Sequence, residues 1–179
     1  MCDIIQTDRL RLRPFELDDA ESAHAWFGND AVMKYTPSGP DVSVEETRER
    51  LARYQAHQAT HGFSKWLITE RTSEQPIGDA GLLVLHEQGW IDLGFRLLLH
   101  CWGRGLATEV GAAWISRASG QLGIQSLGAF AHRENVASLR VLEKLGFRIK
   151  LPETVVMGMS SILFELDLTL GPFGTDKPI

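Results

Sequence analysis

The residues with the clearest chemical potential are two closely spaced glycines, Gly103 and Gly105, which separate an apolar stretch from a helix-like one. Glycine has no Cβ, so such a turn can take left-handed backbone angles and let a ligand approach its amides. A helix starting near Leu106 would point unpaired N–H groups and the positive end of its dipole at that ligand. The segment therefore predicts a phosphate-binding turn over residues 103–108.

Two common phosphate-binding motifs do not fit this turn. The P-loop pattern GxxxxGK[ST] occurs nowhere in the chain. The dinucleotide pattern GxGxxG would need glycine at position 108, where the chain has Thr108. The acidic residue expected about twenty positions later is also missing from LGIQSLGAFA. The sequence thus argues against both classes of nucleotide site.

The segment WGRGLATE, from Trp102 to Glu109, resembles the signature [Q/R]xxGx[G/A] of the GNAT superfamily of acyl-CoA-dependent N-acyltransferases, with Gly105 and Ala107 at its small positions. Trp102 departs from the Gln or Arg that the superfamily prefers, but WGxGxAxE is typical of the branch of ribosomal-protein N-terminal acetyltransferases. The likeness extends to TDRLRLRPF near the N terminus and to NVASLRVLEKLGF, which is similar to the family's NxxSxxxxEKxGF. The chain therefore resembles this Rim-type branch.

The resemblance implies a GNAT fold and an acetyl-CoA donor. The fold is α/β (α+β), with a mixed, mostly antiparallel twisted sheet of about seven strands, splayed at its centre, and about four helices. Acetyl-CoA is implied as the acyl donor, and no metal takes part. The residues implied to bind acetyl-CoA are Phe95, Arg96, Leu97, Trp102, Gly103, Arg104, Gly105, Leu106, Ala107, Thr108 and Asn135.

Some of these residues also have ordinary structural explanations. Asn135 precedes a helix-like stretch and would cap it through its side chain, whereas the family likeness gives it a hydrogen bond to the pantetheine amide. Arg104 would either meet the CoA phosphates or lie on the surface, as most arginines do. From Phe95 to Leu97 the resemblance implies main-chain N–H groups that polarise the acetyl carbonyl.

Acetyl transfer from a thioester to an amine needs a base for the amine and a proton for the leaving thiolate. Asp92, in the family pattern [D/E]-[I/L]-G-[F/Y], lies where many members have a glutamate, so it is the candidate base. The alternative is an aspartate that faces water on its strand. The wider superfamily often uses a tyrosine as the general acid, but the matching residue here is Leu142. Ser138 is therefore the candidate acid. The alternative for Ser138 is a hydroxyl bonded back to its own helix.

The acceptor side is less specific than the donor side. In GNAT folds the segment corresponding to residues 29–42 and the following helix line the acceptor site, and Trp26 and Tyr35 are the candidate substrate contacts. The implied acceptor is a primary amine, either a protein N terminus, such as that of a ribosomal protein, or a small molecule. The competing hypothesis is a domain that binds CoA as a sensor or structural ligand without turnover.

The elements that must position these residues follow from hydrophobic periodicity and capping signals. Strands are predicted over residues 10–15, 63–69, 77–85, 90–97, 124–131, 147–150 and 161–168. Helices are predicted over residues 19–27, 44–61, 106–119 and 135–145, the first two with capping boxes Asp18/Glu21 and Ser43/Glu46. We expect strand 124–131 to lie parallel to strand 90–97 through a right-handed crossover.

Composition restricts the remaining functions. The length of 179 residues suits one domain over residues 1–170, followed by a mobile tail at 171–179. A net charge of −5 argues against a nucleic-acid partner. No apolar run reaches the length of a membrane span, and the first residues lack the order of a signal peptide, so we expect a cytoplasmic protein without membrane attachment. A homodimer is the predicted assembly.

Cysteine and histidine residues predict neither a disulfide framework nor a metal centre. Cys2 and Cys101 are too few for a framework, and Cys101 is expected to be a small buried apolar group. His57 and His61 have helical spacing, but the segment between them lacks the glutamate of HExxH.

Overall fold

The computed structural model describes residues 4–85 and 89–169, so Cys2 and the predicted mobile tail at 171–179 lie outside the described residues. The elements in chain order are β1 (Ile5–Gln6), β2 (Leu10–Pro14), α1 (Ala20–Phe27), α2 (Asp30–Met33), α3 (Val44–His61), β3 (Lys65–Glu70), β4 (Pro76–Leu85), β5 (Trp90–Leu97), α4 (Leu106–Gly120), β6 (Ser126–His132), α5 (Val136–Lys144), β7 (Arg148–Val156) and β8 (Met159–Asp167).

Within the described residues, eight strands form one sheet in the order β1-β2-β3-β4-β5-β6-β8-β7. Neighbouring strands are antiparallel except β5 and β6, which are parallel and share a single pair, Asp92 with Gly128. The sheet therefore opens at its centre, between a half formed by β1 to β5 and a half formed by β6 to β8. The predicted mixed sheet, mostly antiparallel and splayed at its centre, is confirmed.

Helices cover both faces of the sheet. Successive strand residues point to opposite sides, and each side carries apolar residues that pack against helices. Leu93 of β5 packs with Val110 and Trp114 of α4 in one hydrophobic cluster. Leu67 of β3 packs with Tyr54 of α3 in a second cluster on the other face. None of the helices in residues 4–85 and 89–169 is both long and apolar enough to cross a membrane.

The predicted bounds of α3 and α5 are confirmed to within one residue because their caps form. The Ser43 hydroxyl accepts a hydrogen bond from the N–H of Glu46 at 3.2 Å. Gly62 ends α3 in the left-handed conformation, with φ of 79°. The Asn135 side chain accepts from the N–H of Ser138 at 3.2 Å and starts α5.

The N-terminal half differs from the sequence prediction in three places. The predicted loop 29–42 contains α2, whose first turn is capped by the Asn29 side chain. The first capping box is formed by Glu16 and Asp19 rather than by Asp18 and Glu21, because a 3-10 turn precedes α1. The two-residue strand β1 was not predicted, because so short a segment has no measurable periodicity.

The C-terminal half differs because its outer strands are exposed. Strand β7 continues to Val156, well beyond the predicted end at residue 150, and most of its side chains face solvent. Alternation between apolar and polar residues is weak in such a strand, so periodicity underestimates its length. Val136, at the start of α5, is 50% exposed although helical spacing would place it with the inward-facing Leu142.

Candidate active site

The candidate site lies where β5 and β6 separate. Asp92 and Gly128 form the one pair that joins these strands in the described chain. The indole of Trp90 lies against Gly128, where a Cβ would stand 2.3 Å from Trp90 Cδ1. Because β5 and β6 are parallel, the helices that follow them, α4 and α5, begin at the same edge of the sheet. In open sheets of this kind, ligands bind at such an edge where neighbouring strands diverge.

Asp92 is 7% exposed and lies at this opening. Burial raises the pKa of its carboxyl to about 6, while the positive charge of Lys65 opposes the rise. Within the described residues, neither Asp92 Oδ1 nor the buried Nε1 of Trp90 forms a hydrogen bond of normal geometry, although the Trp90 indole and the main chain of Phe130 lie close enough to lower the pKa of the carboxyl. Buried polar atoms without partners are uncommon in native structures and need an explanation. A carboxyl with this pKa can accept a proton near neutral pH.

An ionic network shares the face of the sheet on which Asp92 lies. Arg96 donates two hydrogen bonds to Asp79, at 2.9 and 2.7 Å, and one to the Tyr54 hydroxyl at 3.0 Å. The indole N–H of Trp26 donates to Asp79 at 3.0 Å. Burial by itself would lower the pKa of Arg96, but the charge of Asp79 raises that pKa above its ordinary value, so the guanidinium stays charged. The network fixes the middle of β5 against α1 and α3.

The turn before α4 has the geometry of an anion site. Gly103 and Gly105 have φ of 72° and 78°, the left-handed conformations that the sequence predicts. Helix α4 begins at Leu106 and has no side-chain cap, unlike α3 and α5. Within the described residues, the N–H groups of Leu106, Ala107 and Thr108 therefore have no partner, and the first bond of the helix runs from the Glu109 N–H to the Gly105 carbonyl oxygen at 3.1 Å. Together with the helix dipole they favour a negatively charged group.

The N-terminal segment supports this turn. Glu109, in the first turn of α4, accepts hydrogen bonds from Thr7 Oγ1 at 2.5 Å and from the N–H and Nε of Arg9 at 2.9 and 2.6 Å. Arg9 also donates to the carbonyl oxygen of Arg104 at 2.8 Å. Burial raises the pKa of Glu109, but the hydrogen bonds from Thr7 and Arg9 outweigh it and hold that pKa below its usual range. TDRLRL and WGRGLATE are thus in direct contact.

Besides Arg96, which is bound in the ionic network, two more of the predicted acetyl-CoA contacts have side chains engaged elsewhere. Arg104 forms an ion pair with Glu70 at 2.5 Å and is 43% exposed. The indole N–H of Trp102 donates to the carbonyl oxygen of Leu97 at 2.8 Å, which closes the loop between β5 and α4. Phe95 packs against the cluster under α4. Contacts from these residues to acetyl-CoA stay predictions.

Ser138 and Asn135 lie in the first turn of α5. The amide oxygen of Asn135 caps the helix through the N–H of Ser138, as predicted. Within the described residues, the Ser138 hydroxyl is not bonded back to its helix, in contrast to the hydroxyl of Ser119, which donates to the Ile115 carbonyl at 3.2 Å. Leu142 is 2% exposed and has no proton to donate. The acid role of Ser138 stays a prediction.

The two candidate acceptor contacts lie in different surroundings. Tyr35 stacks on His132 at the end of β6, with ring centroids 5.0 Å apart. Lys34 Nζ lies 4.8 Å from the centroid of the Tyr35 ring. The segment 29–42 therefore reaches across to the C-terminal half of the sheet. Trp26 is fully buried behind Asp79, so the structure gives it a place in the ionic network rather than at an open surface.

Sequence reasoning missed three residues that contact or support the site. Trp90 could have been found by alternation, since it lies two residues before Asp92 and shares its face. Glu109 is the last residue of WGRGLATE, but its partners come from the far end of the chain. Lys65 gives no local signal, because it approaches Asp92 from β3, across an intervening strand.

In residues 4–85 and 89–169, no group of three or more His, Cys, Asp and Glu side chains is placed to hold a metal ion. His57 Nδ1 lies 2.8 Å from the carbonyl oxygen of Phe63, and its Nε2 accepts the N–H of Val84 at 3.0 Å. Both ring nitrogens therefore join α3 to neighbouring segments. Cys101 is buried, as predicted.

Comparison with known proteins gives an independent line of evidence. The sequence model described as "Acetyltransferase (GNAT) domain" matches residues 9–148. The uncharacterized N-acetyltransferase YoaA of Bacillus subtilis (strain 168) is 32% identical over 150 residues, which cover 83% of this chain and 84% of that protein.

Solved structures share the same fold. An acetyltransferase (GNAT family) from Bacillus anthracis aligns with a TM-score of 0.79 at 20% identity, over 92% of this chain and 98% of the other. RimL, a ribosomal alpha-N-protein acetyltransferase solved in complex with coenzyme A, aligns with a TM-score of 0.78 at 17% identity, over 97% of this chain and 100% of the other. At these identities the likeness concerns the fold.

Proposed function

Because the chain belongs to the GNAT acetyltransferase family, we propose that it moves an acetyl group from acetyl-CoA to a primary amine by direct attack within a ternary complex. The observation that carries the proposal is the buried carboxyl of Asp92, with one open oxygen, at the single pair where β5 and β6 meet. A base has to lie where donor and acceptor meet. No part of the described chain combines a buried carboxyl and a sheet opening in the same way.

The residues present fit acetyl-CoA. The first N–H groups of α4, at Leu106, Ala107 and Thr108, are the proposed pyrophosphate ligands, because no side chain caps them. Gly103 and Gly105 leave open space. An added Cβ at Gly103 would meet no atom within 4 Å, and one at Gly105 would meet only the end of the Arg9 side chain, at 3.6 Å. Main-chain groups of β5 from Phe95 to Leu97 are proposed to bind the acyl and pantetheine part, with the side chain of Asn135.

The chemistry is a substitution at the acetyl carbonyl carbon. An amine that has lost its extra proton attacks this carbon, a C–N bond forms, and the C–S bond to the thiolate breaks. Asp92, ionised above a pH of about 6, accepts the proton that the amine gives up, directly or through water. Main-chain N–H groups of β5 stabilise the negative charge that develops on the carbonyl oxygen.

The leaving thiolate takes a proton from Ser138, its proposed donor, and the serine regains one, directly or through water, as the attacking nitrogen loses its second proton to become the amide. The hydroxyl is available, because within the described residues it forms no hydrogen bond inside its own helix. Its place in the first turn of α5 puts it at the same sheet edge as the start of α4. The products are then an N-acetylated amine and free CoA thiol.

The acceptor is proposed to be a protein N terminus or a small primary amine. The Tyr35–His132 stack joins the segment 29–42 to the end of β6, and this region is the proposed acceptor side. The structural neighbour RimL is a ribosomal alpha-N-protein acetyltransferase, which supports an extended N-terminal peptide as one candidate acceptor.

Thiol release from acetyl-CoA tests this function. We expect release to depend on an added amine, in a panel that includes short peptides with free N termini, polyamines and aminoglycosides, and an acetylated product to be detected by mass spectrometry. Binding of acetyl-CoA without amine-dependent release across the panel would support a CoA-binding domain without turnover instead.

A further inference from the structure

A buried lysine extends across the sheet toward Asp92. Lys65 of β3 pairs with Gly81 of β4, and Gly81 pairs with Gly94 of β5, so these residues form one row across three strands. Lys65 is 4% exposed, and its Nζ donates to the carbonyl oxygen of Gly81 at 2.8 Å. The side chain therefore lies along the sheet over two positions that carry no side chain.

Gly94 leaves a gap that the Lys65 ammonium group and the Asp92 carboxyl both border. A Cβ at this position would stand 2.5 Å from Lys65 Nζ and 3.5 Å from Asp92 Oδ2. The ammonium group and the carboxyl thus border the same small gap, directly beside the opening between β5 and β6. Any larger residue at position 94 would displace the lysine nitrogen.

The surrounding charges leave Lys65 as the cation available to Asp92. Arg96 faces the same region, but it is bound to Asp79 and to the Tyr54 hydroxyl. Burial lowers the pKa of Lys65 to about 8, while the charge of Asp92 raises it. Lys65 is therefore protonated at neutral pH, when Asp92 is ionised. Trp90, the main chain of Phe130 and the more weakly acting charge of Arg96 also lower the pKa of the Asp92 carboxyl, but Lys65 is the cation with the larger effect.

We propose that Lys65 is a positioning residue for acetyl transfer, whose ammonium group, held over Gly81 and Gly94, keeps Asp92 in its carboxylate form at the opening between β5 and β6. This inference rests on the proposed function, in which Asp92 is the base. An opposite charge close to a buried carboxyl favours ionisation, which burial opposes. Without the lysine, Asp92 would hold its proton to higher pH and would be a base over a narrower range.

The pH profile of kcat/KM tests the proposal with Lys65→Met, which keeps most of the side-chain length and removes the charge. In the wild type we expect activity to rise with pH through about 6. The acid limb is the low-pH part of the profile, where kcat/KM rises with pH. In Lys65→Met this limb should move to higher pH by about one unit or more, because loss of a nearby positive charge raises the pKa of a carboxyl. Leu67→Met, on the same strand and face, should leave the limb in place.

Gly94→Ala gives a second test that retains the lysine. The added methyl meets the flexible end of Lys65 rather than main chain, so the fold has room to adjust. Displacement of Nζ should move the acid limb in the same direction as Lys65→Met does. Gly120→Ala, where an added Cβ meets nothing within 4 Å, is the matched control. If Lys65→Met does not fold, an unshifted limb in Gly94→Ala overturns the proposal by itself.

Asp92→Asn separates failure of this inference from failure of the proposed function. If Lys65 acts through Asp92, Lys65→Met should cause little further loss in the Asp92→Asn background, because the effects of coupled residues do not add. Reduced turnover in Asp92→Asn with an unshifted limb in Lys65→Met rejects only the role of Lys65. Unchanged turnover and an unchanged limb in Asp92→Asn reject Asp92 as the base, and the role of Lys65 with it.

Discussion

At the scale of single residues, Asp92 shows how surroundings select between two uses of one side chain. The strand pattern alone allowed an aspartate that faces water, but the side chain is 7% exposed. Burial raises its pKa to about 6, and Lys65 limits that rise. Aspartate is one methylene shorter than glutamate, so in the proposed reaction Asp92 takes the proton of the amine through a bridging water.

We expect Asp92→Asn to lower turnover by about 10²-fold or more, the usual contribution of a general base. The amide keeps the shape of the carboxyl but cannot accept the proton. Acetyl-CoA affinity should change little, because the proposed CoA ligands lie on α4 and on the main chain of β5. Steady-state kinetics with calorimetry would measure both quantities, with the exposed Asp18→Asn as control. Wild-type turnover would mean that water alone accepts the proton.

Ser138→Ala should reduce turnover by roughly one to two orders of magnitude, because general-acid help contributes about 10²-fold or more and water can replace part of it. A thiol has a pKa near ~8.5, so the thiolate leaves tolerably even without help. Turnover should be measured beside the melting temperature, with Ser116→Ala on the exposed face of α4 as control. Full activity, or a loss accompanied by a large fall in melting temperature, would contradict the acid role.

At the scale of elements, the start of α4 depends on a segment about a hundred residues away in sequence. Glu109 joins Thr7 and Arg9 to the first turn of α4, and Arg9 also holds the carbonyl of Arg104. Two of the three motifs that carried the family resemblance, TDRLRLRPF and WGRGLATE, are thus one structural unit. This unit orients the unpaired N–H groups of the helix without capping them.

Glu109→Gln should lower stability by about 1–2 kcal/mol, because hydrogen bonds to a carboxylate are worth more than neutral ones. For a chain of this size the melting temperature should fall by about 2–8 °C. The folded-state pKa of Glu109 is lowered, so the stabilisation is present above the ordinary carboxyl pKa and is lost as pH falls through the lowered value. Thermal melts across pH, with the exposed Glu143→Gln as control, would show whether the difference in melting temperature between wild type and Glu109→Gln disappears at low pH. An equal difference at every pH would contradict this account.

Elements with strong local signals were predictable, and those fixed by neighbours were not. The bounds of β5 agree with the prediction at both ends, because apolar alternation there ends at a glycine-rich turn. The start of α4 at Leu106 was likewise predicted. The short helix α2 and the outer part of β7 were missed, because capping by Asn29 and pairing with β8 create them rather than periodicity.

At the scale of the whole molecule, the two halves of the split sheet share one hydrophobic cluster, which includes Leu10 of β2 and Phe164 of β8. We therefore propose that residues 1–170 form a single domain, as length and composition predicted. Unfolding should then be one cooperative transition, with far-UV circular dichroism and tryptophan fluorescence reporting the same midpoint. Two separated transitions would mean that the halves fold independently.

The candidate site was predictable from sequence only where its residues are close in the chain. The turn at Gly103 and Gly105 and the cap at Asn135 were identified because strand, turn and helix follow one another directly. The approach of Lys65 to Asp92 depends on strand register across the sheet, which no local pattern encodes. The acceptor side depends on contacts such as Tyr35 with His132, which join distant segments.

Calorimetric titration of acetyl-CoA into wild type, Gly105→Glu and Gly123→Glu is the most direct test of the central claim, that the start of α4 binds the donor. Both glycines have positive φ, 78° and 64°, so the two variants impose similar backbone strain and the same added charge. Only Gly105→Glu puts a carboxylate beside the first N–H groups of α4. We predict binding by wild type and Gly123→Glu and none by Gly105→Glu, all three being folded. Equal affinity in all three proteins would contradict the account.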